Sequence, residues 1–250
     1  TRFTLPYSIK VADRVIHDAE PRPTETLTVA QILQHSSNVG AVTIAEKLLG
    51  ETRLKQWIHR FGFGEKTGID FPGESAGLLP SYWSGSTIGN VPIGQGISVT
   101  AIQLASVYAA IANGGVWIRP HLVDHIQGIR PPEPKRRQIV SAEVDRELLS
   151  MLKGVVSDHG TAQAAAIPGY TVAGKTGTAQ KPGPNGYLPG KYVATFVGMV
   201  PAHDPQLVVM VSVDEPQKAI YGGVVAAPAF AKIAAFDLRY LEVPPNAPVH

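Results

Sequence analysis

Two apolar runs near the end of the sequence constrain the fold more than any other feature. Residues 192–200 and 206–213 are apolar at nearly every position, and a short segment bounded by Pro201 and Pro205 separates them. Continuous runs of this length indicate strands that are covered on both faces of a sheet. Because the short connection leaves no room for a crossover helix, the two strands are expected to be antiparallel neighbours within the sheet.

Hydroxyl residues mark the expected starts of the helices. Thr28, Thr52, Thr100 and Ser141 each precede a segment whose apolar residues recur at helical spacing. Such residues accept hydrogen bonds from the unpaired N–H groups of a first helical turn. Gly50 is expected to end the helix that precedes Thr52.

The combined pattern predicts an α/β fold of the α+β type, with an antiparallel sheet flanked by helices and a mostly helical subdomain. Residues 1–115 are expected to form the mainly helical part, although residues 1–25 should hold only short extended pieces because prolines interrupt them. Residues 116–250 are expected to contain a helix, a strand around Lys175, two further strands and a C-terminal helix. All 250 residues are assigned to one domain.

Composition argues against several classes of function. The chain contains no cysteine, so disulfides and thiolate chemistry are excluded. A formal net charge of +2 gives no reason to expect nucleic acid as a partner. The eight histidines are scattered without the spacing of a metal site, so neither a metal nor another cofactor is expected. No apolar stretch of the sequence reaches the length of a membrane span.

The segment 169–180, with the sequence GYTVAGKTGTAQ, places one lysine among small residues and follows it with two hydroxyls. In a strand, Lys175 would lie on one face and the two threonines on the other, although strand twist can bring neighbours toward one cleft. Gly174 and Gly177 remove side-chain bulk from this strand. We therefore expect the backbone of a ligand to lie along its edge.

The same segment also fits a nucleotide-binding loop. Residues 169–176 match G-x-x-x-x-G-K-[ST], and the apolar run 207–213 ends in the acids Asp214 and Glu215. Such a loop requires a helix that begins directly after its lysine. The glycines and prolines of residues 177–190 leave no room for that helix, so a nucleotide site is the weaker alternative.

Ser36, Ser37 and Asn38 lie between two predicted apolar helices. These residue types compete with the helical backbone for hydrogen bonds and favour a break in it. A tight corner is therefore expected here, with Ser36 and Asn38 on it. The simpler interpretation is that these residues only cap the two helices.

Three segments taken together resemble the penicillin-binding protein transpeptidases: Ser36-Ser37-Asn38, the run GQGISVTAIQLASVYAAIANGG at 94–115, and Lys175-Thr176-Gly177-Thr178. S-x-x-K, an S-x-N type element and K-T-G are the signature of these proteins and of related β-lactamases. The C-terminal run is similar to that of the class B, division-type members, which include penicillin-binding protein 3. Its matching pieces are VDEP at 213–216, YGG at 221–223, AAP at 226–228 and VPP at 243–245.

The resemblance implies a peptidoglycan D,D-transpeptidase that crosslinks stem peptides during septal cell-wall synthesis. In this chemistry a serine attacks the penultimate D-Ala carbonyl of a stem peptide and expels the last D-Ala. The acyl group then passes to an amine on a neighbouring strand. β-Lactams imitate D-Ala-D-Ala and stall at the acyl stage.

The resemblance also implies a role for each matching residue. The Ser36 hydroxyl is expected on the proton route to the leaving amine, and the Asn38 amide is expected to hold the substrate backbone. The Lys175 ammonium is expected to supply a positive field that attracts the terminal carboxylate. The hydroxyls of Thr176 and Thr178 are expected to bind that carboxylate. The Thr178 N–H is expected to form half of the oxyanion hole.

The chain departs from the family pattern at the nucleophile. The resemblance implies S-x-x-K some tens of residues before the S-x-N corner. We expect no S-x-x-K in this chain: ahead of Ser36 stands only Ser8, and Lys10 follows it two residues later rather than three. We therefore predict the C-terminal part of a transpeptidase domain without the S-x-x-K segment, inactive by itself, with its nucleophile upstream of Thr1. The first strands of the sheet are expected upstream too, which would leave strand 208–213 with an unpaired edge.

Partners and location follow from the same resemblance. The expected partners are the D-Ala-D-Ala stem peptide, β-lactam antibiotics, the N-terminal segment of the same protein that carries S-x-x-K, and membrane proteins of the division machinery, but no nucleic acid. The catalytic domain is expected on the periplasmic side of the bacterial inner membrane, with its anchor outside this chain. Two alternatives stay open: a D,D-carboxypeptidase or serine β-lactamase, which passes the acyl group to water, and a non-catalytic cell-wall binding or scaffold module.

Overall fold

The computed structural model describes residues 1–129, 133–184 and 186–248. Its first 28 residues form the strands β1 (Arg2–Leu5), β2 (Ser8–Val11), β3 (Arg14–His17) and β4 (Glu25–Thr28). β1 pairs with β4, and β2 pairs with β3, both antiparallel. The sequence predicted only short extended pieces here. Paired strands form instead because each one buries an apolar side chain: Leu5, Val11, Ile16 and Leu27.

The helical part follows directly. It contains α1 (Val29–Gln34), α2 (Asn38–Ile44), a π-helical turn (Ala45–Leu49) and α3 (Gly50–Arg60). The predicted cap at Thr28 is confirmed as a capping box. The Thr28 hydroxyl accepts from the Gln31 N–H, and the Gln31 side-chain oxygen accepts from the Thr28 N–H.

The predicted helix end at Gly50 is confirmed, and the predicted cap at Thr52 is wrong. Gly50 is the C-cap of the π-helical turn: its N–H donates to the Ala45 carbonyl, and its φ of +68° lies in a region that glycine adopts without strain. α3 begins at Gly50 itself, so Thr52 already lies in the first turn of α3, and no side chain caps that start.

The middle of the chain contains α4 (Thr87–Asn90), a 3₁₀ turn (Val91–Ile93), α5 (Ala101–Ala112), β5 (Val116–Ile118), β6 (Arg136–Gln138) and α6 (Ala142–Gly154). The predicted caps of the two long helices are confirmed. Thr100 forms a capping box with Gln103 at the start of α5. The Ser141 hydroxyl accepts from the Val144 N–H at the start of α6.

The last part of the chain contains a 3₁₀ turn (Gln163–Ala165), β7 (Ala173–Gly183), β8 (Gly186–Val200), β9 (Leu207–Asp214), α7 (Gly222–Val225) and α8 (Ala227–Tyr240). The three strands form an antiparallel sheet in the order β7-β8-β9. Helices cover both faces of this sheet, as the fold-class prediction required.

β8 is buried on both faces, which explains its continuous apolar sequence. On one face Phe196 packs edge-on against Phe230 of α8, with ring centroids 4.9 Å apart. On the other face Met199 packs with Leu152 of α6 and Ile111 of α5. The sheet therefore lies between α8 and the α5–α6 pair.

β9 differs from the expectation that both apolar runs lie within the sheet. It is an edge strand in the described part of the chain, because no strand pairs with it on the side away from β8. Its residues from Leu207 to Val211 are partly buried, since α8 and α5 still cover their faces. An apolar strand with an open edge is a site for pairing with a further strand.

Asp145 of α6 is a buried carboxyl whose ionised form lowers the free energy of unfolding. It is 4% exposed, and its Oδ1 has no hydrogen-bond partner within residues the structure describes. Burial raises the pKa of this carboxyl from 3.8 to about 6. Because the folded pKa exceeds the unfolded one, the carboxyl's contribution to the free energy of unfolding falls as pH rises from 3.8 to about 6 and stays low above that.

We expect Asp145→Asn to raise the free energy of unfolding at pH 7 by about 1–2 kcal/mol, because the buried charge is removed at nearly constant volume. The gain should disappear near pH 3.8, where the native carboxyl is already protonated. Urea denaturation at several pH values measures both effects. Glu143→Gln, an exposed acid in the same helical turn, is the control and should show little gain. A gain for Asp145→Asn that is the same at all pH values contradicts the assignment.

Candidate active site

Lys175 and Ser36 meet although 139 residues separate them. Lys175 Nζ lies 2.7 Å from Ser36 Oγ and 3.2 Å from the carbonyl oxygen of Thr176. The predicted K-T-G strand and S-x-N corner therefore face each other across a shared groove. The proximity of these two segments is the prediction from sequence on which the proposed site depends most.

β7 carries Lys175 without interruption to Gly183. The strand continues through Thr176, so no helix begins after the lysine. A nucleotide-binding loop needs that helix N-terminus to bind phosphate. The nucleotide-site alternative is therefore wrong.

Ser36 has a backbone conformation that serine rarely adopts, with φ at +55°. It follows the last residues of α1, where the Ser36 N–H donates to the Leu33 carbonyl and the Ser37 N–H donates to the Ile32 carbonyl. This is the Schellman pattern of helix ends, which usually places glycine at the left-handed position. A serine here costs about 1 kcal/mol more than glycine, so the hydroxyl is held at the expense of stability.

A buried carboxylate organises the corner. Asp18, at the end of β3, accepts hydrogen bonds from the Ser37 hydroxyl at 3.0 Å and from the Val39 N–H at 3.0 Å. Arg22 donates to the same carboxylate through Nε at 2.8 Å. Neither Asp18 nor Arg22 was predicted from sequence. Ser37 and Val39, which donate to Asp18, lie 19 and 21 residues after it, and no local periodicity marks such a pairing.

Helix capping explains Ser37 but not its neighbours. The Ser37 hydroxyl accepts from the Gly40 N–H and is the N-cap of α2. The Asn38 Nδ2 donates to the His17 carbonyl at 3.0 Å, which fixes the amide plane, and its Oδ1 makes no hydrogen bond within the described residues. The interpretation that Ser36 and Asn38 only cap the helices is therefore wrong.

The two threonines of the K-T-G-T segment contact different neighbours. Thr176 Oγ1 lies 2.9 Å from the hydroxyl of Thr161, and 3.4 Å from Lys175 Nζ. Thr178 Oγ1 accepts from the Gly222 N–H at 3.2 Å, at the start of α7. Lys175 thus bends round the strand edge toward Thr176, so the alternation of faces does not separate them.

The glycines of this strand have a different role from the one predicted. A Cβ on Gly174 would lie 2.5 Å from the Val197 carbonyl oxygen, and a Cβ on Gly177 would lie 2.3 Å from Thr195 Oγ1. Both neighbours belong to β8. Because these two positions have no side chain, β8 can approach β7 closely. The space is therefore filled by β8 and is not open to a ligand.

Burial lowers the pKa of Lys175 from 10.5 to about 8. The side chain is half-buried between β7 and the corner, where water no longer solvates the ammonium fully. At neutral pH the ammonium form still dominates. A modest rise in pH therefore changes the charge at the centre of the site.

One Ser-x-x-Lys spacing does occur, and it corrects the expectation that the chain lacks this pattern of letters. Ser150-Met151-Leu152-Lys153 lies in α6, after the S-x-N corner rather than before it. Ser150 and Lys153 are both exposed, and neither hydrogen-bonds to Ser36 or Lys175 in the described structure. The expectation is correct only for the region ahead of Ser36, which is where the family has this motif.

The described residues contain neither a metal-binding cluster nor a helix suited to a membrane. No group of three or more His, Cys, Asp or Glu side chains lies close enough to hold a metal ion. Among residues 1–129, 133–184 and 186–248, no helix combines the length and apolar character that crossing a bilayer requires.

The chain is similar over nearly its whole length to one protein family. The family model described as penicillin binding protein transpeptidase domain matches residues 3–235. The chain belongs to this family. Penicillin-binding protein PbpB of Mycolicibacterium smegmatis is 38% identical, over 96% of this chain and 40% of that protein. Probable peptidoglycan D,D-transpeptidase PbpC of Pseudomonas aeruginosa is 37% identical, over 92% of this chain and 40% of that protein.

Solved structures of the family have the same fold. Penicillin-binding protein 3 of Mycobacterium tuberculosis, complexed with aztreonam, has a TM-score of 0.90 and 35% identity, over 100% of this chain and 59% of that one. The transpeptidase domain of Burkholderia pseudomallei penicillin-binding protein 3 has a TM-score of 0.88 and 37% identity, over 99% and 74%. These similarities confirm the fold class and the resemblance to penicillin-binding protein 3. The chain spans about 40% of the length of the curated relatives it matches.

Asp18→Ala should lower the free energy of unfolding by about 3 kcal/mol, because Arg22 and the donors of the corner lose their buried acceptor. Denaturant titration measures the change. Asp13→Ala, an exposed acid on the turn between β2 and β3, is the matched control and should change stability by about 0.5 kcal/mol or less. The Asp18→Ala, Arg22→Ala double variant should lose less than the sum of its two singles. Equal effects of Asp18→Ala and Asp13→Ala contradict the role given to Asp18.

Proposed function

We propose that the protein carrying this chain is a serine-type peptidoglycan D,D-transpeptidase that crosslinks stem peptides during septal cell-wall synthesis. The observation that carries the proposal is the 2.7 Å contact between Lys175 Nζ and Ser36 Oγ. It brings two of the three signature elements of the family into one groove. Membership of the transpeptidase family supports the same activity.

The proposed reaction has two acyl transfers. A serine hydroxyl adds to the penultimate D-Ala carbonyl of a stem peptide. The C–N bond then breaks, the serine proton ends on the departing D-Ala amine, and an acyl-serine ester remains. An amine of a second stem peptide adds to that ester. Its proton returns to the serine oxygen as the C–O bond breaks, which forms the crosslink and restores the enzyme.

Each corner residue has a role that its contacts favour. The Ser36 hydroxyl accepts from Lys175 Nζ, so its own proton points away from the lysine and can pass to the leaving amine. Asn38 Oδ1 is free to accept the amide N–H of a substrate, because Nδ2 is held by the His17 carbonyl. Both groups are fixed before substrate binds, which lowers the cost of ordering the site.

The K-T-G-T strand has the complementary role of binding the anion. The Lys175 ammonium attracts the terminal carboxylate of D-Ala-D-Ala or of a β-lactam. The hydroxyls of Thr176 and Thr178 add donors to the same carboxylate. As the strand lies at the sheet edge, its backbone can pair with an extended peptide, and the Thr178 N–H can contribute to the oxyanion hole.

The nucleophile is proposed to lie in a segment that precedes Thr1 in the full protein. The only S-x-x-K spacing in this sequence is exposed on α6, away from the groove. The curated relatives are about two and a half times as long as the matched region, since it makes up 40% of each. The same upstream segment would supply a strand for the open edge of β9.

The proposal also includes the role of the protein in septum formation and its location in the cell. The similarity to penicillin-binding protein 3 and the 38% identity to stage V sporulation protein D of Bacillus subtilis support a role in building a septum. The catalytic domain would act on the outer side of the bacterial inner membrane, where its stem-peptide substrate lies. Membrane proteins of the division machinery are the proposed partners. Complexes of the Mycobacterium tuberculosis relative with aztreonam and ampicillin support β-lactams as ligands.

A fluorescent penicillin tests the acyl-serine proposal. Residues 1–250 alone should acquire no covalent label, because they lack the nucleophile. The longer protein that includes the segment before Thr1 should be labelled, and the label should survive denaturing electrophoresis. Replacing the serine of the upstream S-x-x-K by alanine should abolish labelling and leave thermal unfolding unchanged.

Three outcomes oppose the proposal in different ways. Labelling of residues 1–250 alone places the nucleophile within this chain. A folded longer protein that takes no label is the behaviour of a non-catalytic cell-wall binding module. Release of the acyl group to water rather than to an added D-amino acid identifies a carboxypeptidase or β-lactamase.

The charge of Lys175 should shape the pH profile of acylation in the longer protein. The rate constant for acylation by penicillin should fall as pH rises through about 8, because the ammonium that attracts the carboxylate loses its proton. Lys175→Ala should slow acylation at pH 7 by about a hundredfold. Lys175→Arg stays charged at every pH used, so its remaining activity should lack this alkaline fall. An alkaline fall that persists unchanged in Lys175→Arg assigns it to another group.

A further inference from the structure

A basic cavity lies between the loop after α3 and the paired strands β5 and β6. It has a volume of about 470 Å³, within the range of small-molecule sites, and shares no residue with the groove around Lys175. Its charged lining contains one acid, Glu65, and five cations: Lys66, Arg119, Lys135, Arg136 and Arg137. We call this feature the basic cavity.

The cations of the basic cavity outnumber the acids beside them. None of the five forms a salt bridge with any residue that the structure describes. Glu74 is within coulombic reach of Lys66 and offsets part of its charge. The Glu74 carboxylate accepts from the Thr67 N–H and hydroxyl, both at 2.6 Å, and from the Gly68 N–H at 2.9 Å. The charge that remains in the cavity is therefore positive.

Paired backbone holds the arginines in place. The Arg119 N–H donates to the Lys135 carbonyl at 2.9 Å, which extends the pairing of β5 with β6. Trp117 lies opposite Arg137 in this pairing, and the Arg137 guanidinium is centred 5.4 Å from the indole ring. This cation–π contact orients the arginine on a regular strand. Arg136 and Arg137 are thus held on β6, while Arg119 directly follows β5 and Lys135 directly precedes β6.

A nearly buried serine lines the same cavity. Ser106 of α5 is 7% exposed, and its hydroxyl makes no hydrogen bond among the described residues and retains solvent access. The neighbouring Gln103 is fully used, because its Nε2 donates to the carbonyls of Glu65 and Ala76 at 2.7 and 2.9 Å. Gln103 therefore fixes the loop, while Ser106 keeps a donor directed at the cavity.

We propose that the basic cavity binds a multiply charged phosphate ligand. Five cations against Glu65 and the nearby Glu74 leave a surplus of positive charge, which suits a polyanion. Arg119 and Arg137 lie on the same face of the paired strands and provide forked donors that match phosphate oxygens in pairs, and Ser106 adds a neutral donor. The phosphate can be free or part of an anionic lipid headgroup. Binding here does not depend on the transpeptidase reaction.

Calorimetry with sodium pyrophosphate tests the proposal in the intact protein at low ionic strength. The wild type should bind about one equivalent, and Arg119→Gln with Arg137→Gln should weaken binding by about tenfold or more. Ser106→Ala should weaken it by a smaller factor and leave the charge unchanged. Arg53→Gln with Arg146→Gln is the matched control, because it removes two exposed arginines of α3 and α6 without touching the cavity.

The outcomes separate a site from general attraction. Thermal unfolding of each variant verifies that the fold persists. Equal weakening in the control double variant assigns the effect to net charge and overturns the proposal. Absence of binding by the wild type to both pyrophosphate and anionic vesicles overturns it as well.

Vesicle flotation identifies the source of the phosphate. Vesicles of phosphatidylglycerol in phosphatidylcholine are compared with phosphatidylcholine alone. Flotation that depends on phosphatidylglycerol and is lost in Arg119→Gln with Arg137→Gln assigns a lipid headgroup. Binding of pyrophosphate without flotation assigns a free phosphate ligand.

Discussion

The pairing of β7 with β8 is the constraint on which the groove depends. Lys175 can reach the S-x-N corner only if its strand holds a fixed position, and that position is set by a ladder running from Ala173 to Gly183. β8 can hold β7 because it is anchored on both faces, by Phe196 against α8 and by Met199 against α5 and α6. The close approach of β8 also explains the glycine at 177. The apolar core therefore fixes the position of β7, and β7 in turn fixes the position of Lys175.

The opposite wall of the groove is built in another way. It packs on smaller apolar clusters that include Ile32, Val39 and Val42, and hydrogen bonds to the Asp18 carboxylate fix the position of its polar groups. That carboxylate ties the end of β3 to the start of α2, and Arg22 balances its charge. The sheet wall thus depends mainly on packing, and the corner depends on packing together with a buried ionic cluster. Because the cluster is buried, salt should screen it far less than it screens exposed charges.

Local chemistry made part of this structure predictable. A hydroxyl followed by Gln three residues later marks Thr28 and Thr100 as capping boxes, and both form. The cap predicted at Thr52 is wrong because α3 begins before it, at the glycine that ends the π-helical turn, and the sequence gives no signal for that turn. Asp18 was missed because its partners meet only after β1 to β4 have paired. A match to a sequence motif neither guarantees a site nor is needed for one. Ser150 begins an S-x-x-K match but makes no hydrogen bond to Ser36 or Lys175 in the described part of the chain. Ser36 and Lys175 meet although 139 positions separate them.

The left-handed backbone of Ser36 has a consequence for how this protein evolves. Glycine would fit that position without strain, so a search for thermal stability alone favours losing the hydroxyl. A serine at position 36 therefore supplies a hydroxyl beside Lys175 at a cost in stability. Stabilised variants obtained from random libraries should be sequenced at position 36, because glycine there would raise the melting temperature and remove the contact with Lys175.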